Sequence, residues 1–378
     1  MTDSDVVAVV HDPGGAMSTF AERLAALPGV AGGARGCFIL ALGSTFTSDV
    51  PGVSAAGATP ALRRLTPRID AEVLVSGKTV DGSSLPVSPA GIVSPVVITR
   101  AALGLMRLPV SIVDCGTFSP PGVSCTTAGV QVARCLSSGA ALDLLQVQKL
   151  FDCGVAVGEA LAASVDFAIC SECVPAGTTT AAAVLTALGY DVDGLLSSSL
   201  PAANHDLRRR LVSVGLSKAR LSPEAVASSP LLAVSAVGDP MQPFVAGVAF
   251  AASMKIPILL AGGSQMLAVW ALVKALARAS GTELSPELLA VITTKWVAYD
   301  QNAGSSRLAC LVDAPLAAAC LDFHLSRHPG LQAYEDGNVK EGVGAGGAIA
   351  AAHLVEKIDS RCLLEAIDKT YDDLVLAG

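Results

Sequence analysis

The chain has 378 residues, enough for one large domain and a smaller one around a sizeable core. Hydrophobic residues make up 52% and aromatics only 4%, so alanine and glycine carry much of the apolar count and closely packed helices on a sheet are expected. A net charge of −8 with scattered basic residues, apart from Arg208-Arg209-Arg210, leaves no electrostatic footprint for nucleic acid.

Short apolar runs bounded by turn residues alternate with longer helical patterns, which is the signature of βαβ units. Strands are expected over residues 6–10, 37–42, 71–75, 112–114, 167–169, 231–237, 256–260 and 290–293. Several are apolar at every position, as strands covered by helices on both faces should be. Helices are expected over 18–27, 128–137, 141–163, 179–188, 205–214, 243–254 and 264–280, with a wholly helical tail over 348–376. Within 141–163, Leu142, Leu145, Val147, Leu150, Val155 and Leu161 recur near helical spacing, and Gly154 and Gly158 allow close packing. Residues 83–95 and 119–124 read as loops over the sheet. The expected fold class is α/β: a doubly wound, mostly parallel, Rossmann-like sheet with a small helical domain from the chain ends.

Residues 256–273 carry no formal charge, but Pro257 and Gly262-Gly263 argue against a membrane span. A buried strand, a glycine turn and a helix from about Ser264 explain them better. With no secretory signal read at its start, the chain's ten cysteines point to buried thiols and a cytoplasmic location. Cys170 and Cys173 have C-x-x-C spacing, yet no second pair or nearby histidine completes a zinc set. His324 and His328 stand at i, i+4 without the glutamate of a zincin helix and read as surface histidines. No metal, cofactor or membrane partner is expected.

Three stretches have the makings of a small-molecule site. In Glu341-Gly342-Val343-Gly344-Ala345-Gly346-Gly347, a carboxylate precedes glycines that open a helical pattern, so Glu341 is either a base or a cap. Gly342, Gly344 and Gly347 also satisfy G-x-G-x-x-G, the fingerprint of a dinucleotide-dependent oxidoreductase, although the preceding residues 334–340 are polar and not an apolar strand. In the second stretch, Glu172 precedes Gly177-Thr178-Thr179-Thr180 at a strand-to-helix crossover, where N–H and hydroxyl donors suit phosphate. The alternative there is an ordinary threonine cap. The third, Gly262-Gly263-Ser264, follows a strand and either lines the same crevice or is a simple turn. Ser76-Gly77-Lys78-Thr79 imitates part of a phosphate loop, but Glu72 stands where its leading glycine is required.

These residues resemble the nicotinate-nucleotide:dimethylbenzimidazole phosphoribosyltransferases, which make the lower-ligand nucleotide of cobalamin. The resemblance is that of a divergent branch and runs from about Gly36 to Ala348. It is carried by Gly52-Val53-Ser54-Ala55, by Glu172 with Gly177-Thr178-Thr179, by Val237-Gly238-Asp239 with residues 256–260, and by Glu341-Gly342-Val343-Gly344-Ala345. It implies a large α/β domain over 31–320 with a mononucleotide site, and a smaller, mainly helical part from 1–30 and 321–378 carrying Glu341. It further implies transfer of phosphoribose from nicotinate mononucleotide to an aromatic nitrogen base, releasing nicotinate, by a typically homodimeric enzyme. Glu341 matches the general base and Glu172 the second carboxylate. Gly177, Thr178 and Thr179 match the mononucleotide loop and Arg208 falls in place of a phosphate-binding lysine; Thr180, Gly262, Gly263, Ser264, Gly342 and Gly344 are expected to line the substrates beside them. Departures fall at Gly43-Ser44-Thr45, where the family has Asp-His-Gly, and at Ala56-Gly57-Ala58, where it has Tyr-Pro-Gln. The acceptor half is therefore expected to be the more altered, and a non-catalytic nucleotide-binding relative stays open as the alternative.

Overall fold

Along β2 (Gly36–Leu42), Phe38, Leu40 and Leu42 enter one hydrophobic core while Ile39 and Ala41 enter another. Successive side chains of a strand point to opposite faces, so this alternation means that both faces are covered. The computed structural model describes residues 6–376 except 83–84, 86, 89, 129–130 and 201–203. The other strands are β1 (Val7–His11), β3 (Val110–Asp114), β4 (Thr126–Thr127), β5 (Phe167–Cys173), β6 (Ile258–Ala261), β7 (Leu289–Thr294) and β8 (Leu316–Ala319). They form one eight-stranded sheet in the order β1-β8-β7-β6-β5-β2-β3-β4. Its pairs are parallel except β1 with β8. The doubly wound α/β class read from the sequence is met.

One face is covered by the helices Leu144–Ser164, Gly177–Ala187, Leu231–Val237, Met241–Ala252, Ser264–Ser280 and Ser305–Val312. The other carries Ala16–Ala25, Pro60–Ser76, Val96–Met106, Ala345–Glu356 and Ser360–Tyr371, so helices from both chain ends lie together there. The glycines of Leu144–Ser164 do what their spacing suggests. A Cβ on Gly154 would stand 2.1 Å from the Phe244 carbonyl oxygen and one on Gly158 2.6 Å from that of Val248, so this helix touches Met241–Ala252 backbone to backbone.

Several elements differ from expectation. Residues 71–75 are the end of Pro60–Ser76, a helix started by the Thr59 side chain and Pro60, and Gly77 closes it in the left-handed conformation. The Ser76–Thr79 phosphate-loop resemblance therefore follows a helix and not a strand. Residues 231–237 are also helical, since a seven-residue apolar run does not distinguish a buried helix from a buried strand. Of residues 128–137, two lie outside the described residues. Of the next ones, Ala133 is bridged to Thr45, and a short 3-10 turn over Leu136–Ser138 begins where the Leu136 N–H donates to Thr47 Oγ1 at 3.0 Å. The C-terminal tail breaks at Lys357, which has φ 58°, and Asp359 restarts it by accepting the Cys362 N–H at 2.7 Å. β4 and β8 were not anticipated. β8 is Leu-Ala-Ala-Ala, with no β-branched residue to mark it. The loop expected over 83–95 lies partly outside the described residues.

The topology fixes where a ligand goes. From β2 the chain moves outward to β3 and β4, then returns to the other side of β2 for β5 and continues through β6 and β7 to β8. β2 and β5 therefore flank a topological switch point, and the crevice beyond their C-terminal ends is where open α/β sheets bind ligands.

Candidate active site

A cleft enclosing about 980 Å³, its mouth included, opens at that place. Its walls come from the segments that follow β2, β5, β6 and β7, and from the loop that leads into Ala345–Glu356. Glu172, Gly177, Thr178, Gly263, Ser264, Glu341 and Gly342 all line it. The sequence candidates from three distant stretches are thus brought together.

Glu172 is the sixth residue of β5, paired in register with Ala41 of β2, and is buried. Its Oε2 accepts the Val174 N–H at 2.9 Å. Burial, then the charge of Asp239, pushes its carboxyl up from 4.5 to about 8, with Glu341 adding to the repulsion. Asp239, also buried, is raised by desolvation to about 6 while accepting the Thr180 hydroxyl at 2.5 Å. Glu341 is half-buried, and desolvation lifts it to about 7. Four donors hold it: Thr294 N–H at 2.8 Å and Thr293 Oγ1 at 3.2 Å on one oxygen, Gly342 and Gly346 N–H at 3.1 and 3.3 Å on the other. The bond from the Gly346 N–H is that of a cap on the helix that follows, and the carboxyl also lines the cleft.

Three helices begin at the cleft, at Gly177, Ser264 and Ala345, and none has a side-chain cap in the N-cap position, which is held by Ala176, Gly263 and Gly344. The ordinary threonine cap considered for Gly177–Thr180 is therefore not what the chain builds. At Ala345 the Glu341 side chain takes the Gly346 N–H as a cap does, and the Gly177 N–H bonds to the Val174 carbonyl at 2.9 Å. At Gly177 and Ser264 the positive end of the helix dipole is left without a side-chain cap, as an anion site requires. Thr178 is half-buried in the cleft wall, whereas Thr179 and Thr180 are buried behind it. The Ser197 N–H donates to Ser264 Oγ at 3.2 Å, so the serines of 197–199 join the same wall.

The glycines after Glu341 serve mainly to seat the helix. A Cβ on Gly344 would stand 2.5 Å from the Ser171 Cβ, one on Gly346 2.2 Å from the Thr293 carbonyl carbon, and one on Gly347 2.3 Å from the Ala261 Cβ. Of this run only Gly342 and Val343 face the cleft. No strand precedes the run, which removes the context of the dinucleotide fingerprint. The loop is strained: Val339, Lys340 and Val343 have φ of 61°, 68° and 52°, a region that β-branched residues avoid. A buried ion pair, Lys340 Nζ to Asp300 Oδ2 at 2.6 Å, fastens it.

Other candidates lie elsewhere. The Arg208 guanidinium is buried behind the cleft wall and donates to the carbonyls of Leu196 and Ser197 at 2.9 and 3.0 Å, so it braces the 195–199 segment. Gly262 is buried in the turn beneath Gly263. Of the departures from the resembled family, Ala56 and Gly57 line the cleft, while Ser44 and Thr45 are buried in the core. Cys170 and Cys173 enter opposite cores, as residues three apart on a strand must, so they form no common site. His328 is buried and stacked on Tyr371 rather than on the surface. Asp322, His324 and Glu335 stand close enough to share an ion, but Glu335 Oε1 already accepts from the Phe323 N–H and Lys295. Asp70, Gln265 and the Lys340–Asp300 pair are cleft features that sequence reasoning missed. Asp70 lay beside a segment misread as a strand, and the other residues belong to no recognisable spacing.

Among curated proteins, the chain is 49% identical over 344 residues to a UPF0284 protein of Gloeobacter violaceus, covering 90% of this chain and 89% of that one. The chain belongs to the UPF0284 family. A second member, from Cyanothece, is 46% identical over 336 residues, covering 89% of this chain and 90% of its own. No protein-family model matches the chain. Among solved structures, this UPF0284 chain resembles CobT of Thermus thermophilus with a TM-score of 0.61 at 18% identity, over 92% of this chain and 89% of that one. It also resembles a structure described as the nicotinate-nucleotide-dimethylbenzimidazole phosphoribosyltransferase of the same organism, with a TM-score of 0.56 at 17% identity, covering 93% and 98%. The fold implied by the four resembling stretches is therefore the fold found. Among the described residues no helix is long and apolar enough to cross a membrane, and residues 256–273 form β6, a glycine turn and a helix as expected.

Proposed function

We propose that this protein transfers phosphoribose from nicotinate mononucleotide to an aromatic nitrogen base, as the fold neighbour's name describes for dimethylbenzimidazole. The observation that carries this reading is the polarity of the cleft. Helix starts without a side-chain cap at Gly177 and Ser264 line one cleft with two carboxylates, Glu172 and Glu341, whose ionisation burial moves close to neutrality.

In this reading the phosphate sits against Gly177-Thr178 and Gly263-Ser264, with Thr179, Thr180 and Gly262 shaping those turns and Arg208 bracing the adjoining wall. The ribose then lies toward Glu172, whose negative form stabilises the positive charge that develops at C1′. Glu341 takes the N–H proton of the acceptor as its ring nitrogen bonds to C1′. The bond from C1′ to the pyridinium nitrogen breaks, its electron pair staying on nicotinate. The cationic leaving group needs no metal to depart. A positioned base contributes about 10²–10⁴-fold, and a carboxyl titrating near the working pH suits that role. Gly342 lies beside the acceptor, while Gly344 supports the turn from the core. Cobalamin lower-ligand assembly, cytoplasmic location and a homodimer accompany this reading.

The test is nicotinate release by purified protein with and without an acceptor base. Release that depends on the base, and is lost in Glu341→Gln while nicotinate mononucleotide still binds, is expected. A Glu341→Gln protein of full activity removes the assigned role. One observation favours a second reading, a nucleotide-binding relative without turnover: the four hydrogen bonds to Glu341 fill its acceptor positions as a cap would. In that case calorimetry finds mononucleotide binding, no base supports release, and Glu341→Gln lowers only stability.

A further inference from the structure

Asp70 is a buried carboxylate in the cleft wall to which the proposed reaction gives no role. It projects from the helix Pro60–Ser76 and is 2% exposed. The Cys173 thiol donates to its Oδ2 at 3.3 Å. Its Oδ1 makes no hydrogen bond of regular geometry among the described residues, and the buried Ser94 hydroxyl beside the carboxyl favours its ionised form together with the Cys173 thiol. Ile92, Pro95, Cys173 and Val343 give the cleft apolar wall here, with Ser94 the polar neighbour of Asp70, and Gly342 approaches Pro95, where an added Cβ would stand 3.3 Å from the ring. This is the part of the cleft that remains for an acceptor once a mononucleotide occupies the Gly177 and Ser264 side.

We propose that Asp70 is a specificity residue that selects an acceptor heterocycle carrying a hydrogen-bond donor, such as a ring-bound amino group, on the edge facing the helix Pro60–Ser76. A buried acceptor left unpaired costs free energy, and a site built to hydrogen-bond a group discriminates strongly against analogues that lack it. A ring decorated only with methyl groups fills the apolar walls but leaves Oδ1 unpaired. An amino-substituted ring fills the same walls and satisfies it. Burial raises the Asp70 carboxyl to about 7, so its acceptor strength increases as pH rises through neutrality. The inference rests on the reading that this cleft takes an aromatic base.

The experiment is calorimetric binding of adenine, benzimidazole and 5,6-dimethylbenzimidazole to the full chain at pH 6 and pH 8. Adenine is expected to bind about ten- to a hundred-fold more tightly than dimethylbenzimidazole at pH 8, with the margin narrowing at pH 6. Asp70→Leu is expected to erase or reverse that margin, and Asp70→Asn, which keeps a carbonyl acceptor, to retain part of it without its pH dependence. Equal binding of the bases by the wild-type chain at pH 8 overturns the inference, whether or not the variants fold, as does an unchanged margin in Asp70→Leu. Either result leaves the transferase reading standing, whereas a chain that binds nicotinate mononucleotide but none of the bases overturns both.

Discussion

Glu172→Gln is expected to stabilise the protein while removing its chemistry. Burial and the Asp239 charge raise the Glu172 carboxyl from its ordinary 4.5 to about 8. Below pH ~4.5 both folded and unfolded states hold the proton, and the substitution changes little. As pH rises, the unfolded chain ionises first while the folded state keeps its proton. The folded state therefore loses relative stability until about pH 8, and beyond that the loss is complete. One unit of displacement corresponds to about 1.4 kcal/mol, so the gain on removing the carboxyl is under about 1 kcal/mol at pH 5 and about 3 kcal/mol at pH 7. Glutamine keeps an oxygen for the Val174 N–H, so that hydrogen bond survives. Urea unfolding of both proteins at pH 5, 7 and 8.5 measures the difference, and nicotinate release at pH 7 measures the loss of function. A stability difference that is flat across this range, or a glutamine variant less stable at pH 7, refutes burial of the charge as its cause.

Besides a limb up to about pH 8 from ionisation of Glu172, the Glu341 carboxyl at about 7 adds a roughly tenfold climb in nicotinate release per pH unit below neutrality that levels above it, because the base acts only when ionised. Residual release in Glu341→Gln, about 10²–10⁴-fold lower, is expected to lack that added climb, and a mutant that keeps it points to another base. Gly177→Ala places a Cβ 1.9 Å from Gln265 Oε1, so it is expected to displace Gln265 and weaken mononucleotide binding by about tenfold or more, read by calorimetry. Unchanged affinity there removes the Gly177 turn from the phosphate site. Arg208→Ala strips two hydrogen bonds to backbone carbonyls and is expected to cost about 2–4 kcal/mol in denaturant unfolding while leaving mononucleotide bound in the fraction that stays folded. Selective loss of binding without loss of stability restores a direct phosphate role to this arginine.

The sheet was legible where strands contain runs apolar at every residue, because burial on both faces explains such runs at 37–42 in β2, 167–170 in β5, 258–261 in β6 and 289–292 in β7. The same rule misled at residues 231–237, where periodicity cannot separate a short buried helix from a strand. At residues 71–75 the helix Pro60–Ser76 turns Glu72 inward, where Arg68 pairs with it at 3.0 Å, and no strand pattern foretells that pairing. Glu172, Gly177 and Glu341 were legible because each sits where a strand or loop meets a helix and has a residue type that such junctions rarely need for packing. Of the two glycines after Glu341 expected to line the substrates, Gly342 lines the cleft and Gly344 packs behind it. Three glycines of that run are required by the close approach of the helix Ala345–Glu356 to Ser171, Ala261 and Thr293, and that approach depends on the tertiary packing of segments far apart in sequence. Asp70 was invisible for the opposite reason, since a lone aspartate within a helix has no spacing to betray it.

The two sides of the cleft explain one another. Nicotinate mononucleotide carries negative charge at its phosphate and at its ring carboxylate and positive charge at its ring nitrogen, and this cleft holds both helix starts that suit the phosphate and carboxylates that suit the ring nitrogen. If Glu172, Asp239 and Glu341 all ionised together, their repulsion would be uncompensated in a site where burial already raises each of them. In the proposed reaction a ring nitrogen turned toward these groups, with the nicotinate carboxylate turned away, relieves that repulsion and lowers the carboxyls, which draws Glu341 toward the ionised form a base requires. Mononucleotide binding is then linked to proton release. Calorimetry of nicotinate mononucleotide at pH 7 in two buffers of different ionisation enthalpy reads that release directly. Binding without any proton release means that the ring lies away from these carboxylates, and the orientation proposed for the substrate is wrong.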